Sequence, residues 1–133
     1  MTTMPPLPPV PTALVALGLG LGLPAQAAQA EPWDCRFTVE CLVAEGCAAG
    51  EFGAQVIAVD HAGELVLSTV TGDSPVDRLT PEGALPATYA GAGRDGIAEL
   101  LTIETDRTAI LTLHIFDGQA AAITYLGTCE GMT

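Results

Sequence analysis

Apolar and polar residues alternate most clearly near the C-terminus. From Ala109 to Ile115 the odd positions are apolar, whereas Thr112 and His114 occupy even positions. A period of two is typical of a strand with one buried face. Asp117-Gly118 follows, which is a strong two-residue hairpin signal, and Ala120–Cys129 alternates again. The pattern therefore predicts a β-hairpin in this part of the chain.

The same reasoning extends to the rest of the chain from residue 31. Further strands are predicted at Arg36–Cys41, Phe52–Val59, Leu65–Val70, Val76–Leu79, Ala87–Ala90 and Ala98–Glu104. Only 34–46 leaves room for a short helical turn. Short strands separated by turns every 8–12 residues or so indicate an all-β domain. We expect a small antiparallel meander that forms a barrel or sandwich of about seven or eight strands.

Composition changes sharply near residue 30, because every charged and every aromatic residue lies after it. The apolar run Thr12–Leu23 has the length of a signal-peptide core, about 7–15 residues, and is shorter than the roughly 20 that span a bilayer. Pro24 and two A-x-A motifs follow. We predict a signal peptide at 1–30 and a β-domain at 31–133, with cleavage favoured after Ala30 and next after Ala27. This predicts a periplasmic or secreted protein without a stable membrane anchor after cleavage.

Four cysteines follow the predicted cleavage site. Cys35, Cys41 and Cys47 are six residues apart, and Cys129 lies near the C-terminus. An even number of cysteines in a short exported chain indicates two disulfides, for which three connectivities exist. We favour Cys35–Cys129 with Cys41–Cys47. The alternative is a zinc site built from the first three cysteines and His114, but zinc ligands usually come in more closely spaced pairs.

Charge narrows the classes of partner. The chain has 16 acidic and four basic residues, all arginine, for a formal net charge of −12. Nucleic-acid binding needs clustered basic residues, so no nucleic acid is expected as a partner. An acidic surface suits a basic protein, and secreted lysozymes are one such class.

Candidate catalytic motifs are weak. Residues 91–96 match G-x-G-x-x-G literally, but no βαβ pattern surrounds them, so we interpret them as a loop. Ser68 and Ser74 are the only serines, and no nucleophile elbow is present. We predict no catalytic residue and no cofactor. Two alternatives stay open: calcium or a small ligand held by acidic turns at 60–64 or 73–77 or by a barrel mouth, and a hydrolase with scattered carboxylates.

Two aromatic residues are possible contact residues. Trp33 either packs over the end of the barrel, which we favour, or is an exposed binding anchor. Phe116 falls on the outward face of its strand together with Thr112 and His114. It therefore either caps the hairpin or belongs to a contact patch.

The cysteine pattern carries a family resemblance. Trp33-x-Cys35-x5-Cys41-x5-Cys47, with Tyr125-Leu126-Gly127-Thr128-Cys129-Glu130 at the other end, resembles uncharacterised small exported disulfide-containing β-proteins of Gram-negative bacteria. The resemblance implies export and an all-β fold, but no activity. In overall plan the chain is also similar to periplasmic lysozyme-inhibitor barrels, whose inhibitory loop has no match here. We therefore expect a non-enzymatic domain that binds a basic protein or an envelope component.

Overall fold

The computed structural model describes residues 31–59, 63–92 and 95–132. The predicted signal peptide lies outside these residues. Eight strands are present: β1 (Trp33–Leu42), β2 (Gly46–Ala58), β3 (Leu65–Thr69), β4 (Gly72–Arg78), β5 (Ala87–Gly91), β6 (Ile97–Ile103), β7 (Thr108–Asp117) and β8 (Gln119–Gly131). In this described part of the chain, no helix is long and apolar enough to cross a membrane.

The strands form one closed antiparallel barrel. Each strand pairs with the next in sequence, and β8 pairs with β1 to close the ring. The predicted all-β fold is therefore confirmed, as a barrel of eight strands. One end of the barrel holds the start of β1 and the end of β8, and we call it the terminal end. The opposite end, which we call the hairpin end, holds the end of β1 and the start of β8, together with the β1–β2, β3–β4 and β7–β8 turns.

Alternate residues of each strand point into the barrel and form its hydrophobic core. Burial of these side chains removes their apolar surface from water, which stabilises the fold. Its largest fully buried side chains are Trp33, Phe37, Val56, Leu67, Tyr89, Leu101, Ile103 and Leu111. An eight-stranded barrel is just wide enough for side chains to fill or for one small ligand. In this barrel the large side chains from Trp33 to Leu111 pack into one core along the described interior.

Both favoured disulfides are present, which confirms the predicted pairing. Cys35 and Cys129 face each other across β1 and β8, and both are buried. Cys41 and Cys47 face each other across the β1–β2 hairpin, where Cys47 is exposed. The structure has no free cysteine. The alternative zinc site is therefore wrong, because its thiols are in disulfides.

Strand boundaries differ from the prediction at the starts of three strands. One of them is β4, which begins at Gly72 rather than Val76, because its first residues pair with β3. β1 begins at Trp33 rather than Arg36, and no helical turn forms within 34–46, because β1 pairs with neighbours on both sides. β2 begins at Gly46 rather than Phe52. The segment 47–51 has little apolar alternation, and its pairing is imposed by the adjacent hairpin and by the Cys41–Cys47 disulfide.

The backbone of β1 closely approaches Gly127 of β8. The register of β1 shifts between Phe37 and Val39, which marks a bulge. A Cβ added to Gly127 would overlap the Arg36 carbonyl oxygen and would lie 2.6 Å from the Phe37 Cα. These are backbone atoms, which a rotamer change cannot move away. Gly127 is therefore required for the barrel to close at this bulge.

We expect Gly127→Ala to lower the free energy of unfolding by about 3 kcal/mol or more, because the added methyl group overpacks against backbone. Gly53→Ala is the matched control, since its Cβ would meet nothing closer than 3.9 Å. The control should be neutral or up to about 1 kcal/mol more stable, because alanine loses less conformational entropy. Urea titration followed by the emission of Trp33 measures both variants. Equal midpoints for the two variants would contradict this account of closure.

The weakest pairing in the ring lies between β4 and β5. Only Asp77–Ala90 and Arg78–Tyr89 are paired there, whereas β2–β3 and β3–β4 each pair five residues. We call this pairing the β4–β5 seam. At both ends of the barrel, side chains from outside β4 and β5 contact residues of the β4–β5 seam or cross it.

Candidate functional site

Trp33 lies inside the terminal end of the barrel. Its side chain is 0% exposed, and its indole Nε1–H donates a hydrogen bond of 2.9 Å to the Tyr89 hydroxyl. The Arg107 guanidinium carbon lies 5.0 Å from the centroid of the indole ring. The interpretation of Trp33 as an exposed binding anchor is excluded, because the first residue of β1 faces inward between Val56 of β2 and Gly131 of β8.

A charged pair closes the same end. Tyr89 donates a hydrogen bond of 2.7 Å to Glu31 Oε1, and Glu31 also forms an ion pair with Arg78. The Arg78 guanidinium lies 5.7 Å from the Tyr89 ring centroid. Burial raises the pKa of the Tyr89 hydroxyl, and its contacts with Trp33 and Arg78 offset part of that rise. The cluster ties β1, β4 and β5 together, and it is consistent with a structural role.

A second polar contact crosses the β4–β5 seam toward the hairpin end. Ser74 Oγ on β4 donates a hydrogen bond of 3.1 Å to Glu99 Oε1 on β6. The Glu99 side chain passes over Gly91 of β5, where an added Cβ would lie 3.1 Å from both Glu99 Oε2 and the Pro75 carbonyl oxygen. Gly91 therefore provides the space that lets β6 reach β4.

Glu99 is the one described carboxylate with a buried oxygen that has no hydrogen-bond partner, Oε2. Burial raises the pKa of the Glu99 carboxyl above its ordinary value of 4.5, and the Ser74 hydrogen bond, which favours the charged form, offsets part of that rise. Two further carboxylates face the interior. Glu31 is paired with Arg78 at the terminal end. Glu40 lies on β1, three strand positions from β6, and its negative charge and hydrogen bond raise the pKa of the Tyr125 hydroxyl, as burial does to a larger extent.

The raised pKa predicts how Glu99 changes stability with pH. The folded state holds the Glu99 proton more tightly than the unfolded state, so this group costs stability as pH rises from the unfolded pKa through the folded one. Glu99→Gln removes that cost. The free energy of unfolding of the variant relative to wild type should therefore increase between about pH 4 and about pH 7.

Urea midpoints across this pH range measure the effect. Glu51→Gln is the control, because Glu51 is an exposed outward residue of β2. The difference in free energy of unfolding between Glu51→Gln and wild type should change much less with pH. If the free energy of unfolding of Glu99→Gln relative to wild type fell as pH rises, the folded barrel would stabilise the charged carboxylate. That result would contradict the conclusion that burial raises the pKa of Glu99.

The remaining predicted ligand groups do not assemble into a site that the structure describes. Asp60 and His61 lie outside the described residues, as do Gly93 and Arg94 of the glycine-rich segment. Asp73 and Asp77 both face outward on β4. Among the residues that are described, no group of three or more histidine, cysteine or acidic side chains could hold a metal ion.

Nearly all of the exposed charges on the described surface are acidic. Eleven described acids are exposed: Asp34, Glu45, Glu51, Glu64, Asp73, Asp77, Glu82, Asp95, Glu104, Asp106 and Glu130. Of the three arginines within the described ranges, only Arg36 is exposed, since Arg78 and Arg107 are partly buried at the terminal end. A shallow groove between β1 and β2 is lined by Asp34, Arg36 and Glu51 together with Phe52.

One part of the outer surface has a different character. It consists of the outward side chains of the segments 88–90, 98–102, 108–116 and 120–128, and we call it the uncharged face. It contains no aspartate, glutamate, lysine or arginine, and His114 is its one titratable side chain. Its threonines are Thr88, Thr102, Thr108, Thr112, Thr124 and Thr128, and its large exposed apolar residues are Leu100, Ile110, Phe116 and Leu126.

The strand register brings these residues together. Ile110 lies directly opposite Leu126, and Leu100 is a diagonal neighbour of Ile110 on the adjacent strand. Phe116 extends the face to the hairpin end and is 63% exposed. It therefore lies on the outer surface, while its role as a contact residue stays a prediction.

No protein family, curated protein or solved structure matches this chain. The function must therefore be argued from the barrel itself.

Proposed function

We propose that this protein is an exported, non-enzymatic binding domain whose partner is a basic protein. The observation that carries the proposal is the imbalance of eleven exposed acids to one exposed arginine on the described surface. Such a surface attracts a cationic partner at long range and repels anionic ones. Secreted lysozymes are the first class to test, because they are basic proteins of the same compartment.

Export is supported by two observations. Both disulfides need an oxidising compartment to form and persist. The apolar run Thr12–Leu23 with its A-x-A motifs has the pattern of a cleaved signal peptide.

The intact mass of protein recovered from a periplasmic extract tests export. We expect a chain that begins at Glu31, or at Ala28 if cleavage follows Ala27. Its cysteines should resist alkylation until they are reduced. A full-length chain that takes up four alkyl groups without reduction would overturn the export proposal.

Calorimetric titration with a purified lysozyme tests the partner class. We expect saturable binding at about 150 mM salt, where long-range attraction is largely screened. Cytochrome c, an equally basic protein of different shape, controls for nonspecific attraction and should bind more weakly. Equal affinity for both proteins, or no binding to either at this salt concentration, would contradict recognition of a basic protein of this class.

Stopped-flow measurement of the association rate with the same lysozyme, applied to charge variants, separates the two surfaces. Changing Glu45, Glu51 and Asp73 to the corresponding amides should slow association with the lysozyme, because steering depends on net charge. Thr112→Val with Thr124→Val on the uncharged face should leave the association rate unchanged. Slower association for the second variant alone would place the contact on the uncharged face instead.

A further inference from the structure

The uncharged face lies on a protein whose described exposed charges are eleven acids and one arginine. Its outward positions span four consecutive strands, β5 to β8, without a formal charge. At its centre Ile110 and Leu126 are 45% and 36% exposed, and they lie directly opposite each other. A basic partner gains no electrostatic attraction from such a face. It is therefore a different kind of surface from the one that supports the proposed function.

We propose that the uncharged face is a dimer interface, in which two copies of this chain pack face to face about a two-fold axis. Closure of the barrel removes the free strand edges through which β-proteins often associate. Edge-to-edge pairing of strands is therefore not open to two copies, and the uncharged face of the barrel is the surface we assign to their contact. The same patch on both copies is the arrangement that two-fold symmetry produces.

Electrostatic repulsion between two copies is weakest when they meet through the uncharged face. Each copy carries a formal net charge of −12, so any contact between acidic surfaces brings like charges together. The uncharged face allows the closest approach with the exposed acids kept to the outside. Apolar contact between Ile110, Leu126 and Leu100 then supplies attraction without a charge partner.

The threonines suit the same contact. Thr112 lies opposite Thr124 on the neighbouring strand with their hydroxyl oxygens 3.5 Å apart, and Thr88 and Thr102 are paired at 3.4 Å. A hydroxyl group donates one hydrogen bond and accepts two. Each threonine pair therefore keeps hydrogen-bonding capacity for a second copy, while its methyl groups add apolar surface.

The dimensions predict a weak dimer. Three inter-strand spacings give a width of about 15 Å, and the length from Thr108 to Phe116 is about 27 Å. The resulting area of roughly 400 Å² is below the roughly 800 Å² per partner of a standard stable interface. We expect a dissociation constant between micromolar and millimolar that decreases at higher salt, because salt screens the repulsion between the two anionic copies.

Sedimentation equilibrium of the disulfide-bonded protein tests the dimer, at low and high salt and over a range of protein concentrations. Ile110→Glu places a carboxylate opposite its counterpart in the dimer and should abolish association. Val70→Glu adds the same charge in the β3–β4 turn, where Val70 is 86% exposed, and should leave association largely intact. Circular dichroism and the resistance of both disulfides to alkylation show that each variant is folded.

One result of these measurements supports the dimer interface and two results contradict it. A dimer that strengthens with salt, is lost in Ile110→Glu and persists in Val70→Glu supports the proposal. A protein that stays monomeric at millimolar concentration and high salt overturns it. So does a dimer that survives Ile110→Glu, because its interface then lies elsewhere. None of these outcomes depends on whether a basic partner binds, since that partner is tested separately and at lower protein concentration.

Discussion

Pairing between the first and last strands is the contact on which the rest of this barrel depends. Each of the other neighbouring strands is joined through a nearby turn, whereas β1 and β8 are brought together from opposite ends of the described chain. The Cys35–Cys129 disulfide spans 94 residues. In the chain-entropy model, a loop of this length constrains the unfolded state by about 4–5 kcal/mol. The core around Trp33 and Phe37 can form only when this contact is made.

Closure also explains the special residues near it. The β1 bulge lets Glu40 face Tyr125 inside the barrel while Cys41 faces outward to Cys47. Gly127 provides the space for that bulge. By contrast, the β4–β5 seam has little backbone pairing, and side chains hold it instead. The barrel therefore has one covalently fixed boundary and one boundary held by polar contacts.

Alternation made the fold predictable where one face of a strand is apolar. The hairpin of β7 and β8 is such a case. The favoured disulfide pairing is also the observed one, although the sequence alone left three connectivities open. The first residues of β1 show the same alternation, since Trp33, Cys35 and Phe37 alternate with polar residues. The start of β2 shows no such alternation, because Ala48, Ala49 and Gly50 are all small and do not differ in polarity from one position to the next.

The polar interior was not predictable in this way. Glu31, Arg78 and Glu99 read as solvent-exposed charges in a single sequence, and only the strand register shows that each faces a partner inside the barrel. The uncharged face could not be predicted from the sequence either. Its residues come from four segments, and their lack of charge becomes a surface property only when Leu100, Ile110 and Leu126 are placed side by side.

The meeting of the chain ends has a topological consequence. Met132 N–H donates a 2.9 Å hydrogen bond to the Pro32 carbonyl oxygen, so the ends of the barrel segment are neighbours in space. Each strand also forms backbone pairs only with its two neighbours around the ring. Such a ring has no obligatory first strand, and a circular permutant with a short linker across 132 and 31 would keep every strand pairing. Chain order in this barrel is therefore separable from its architecture, and evolution or design could begin the chain at another turn.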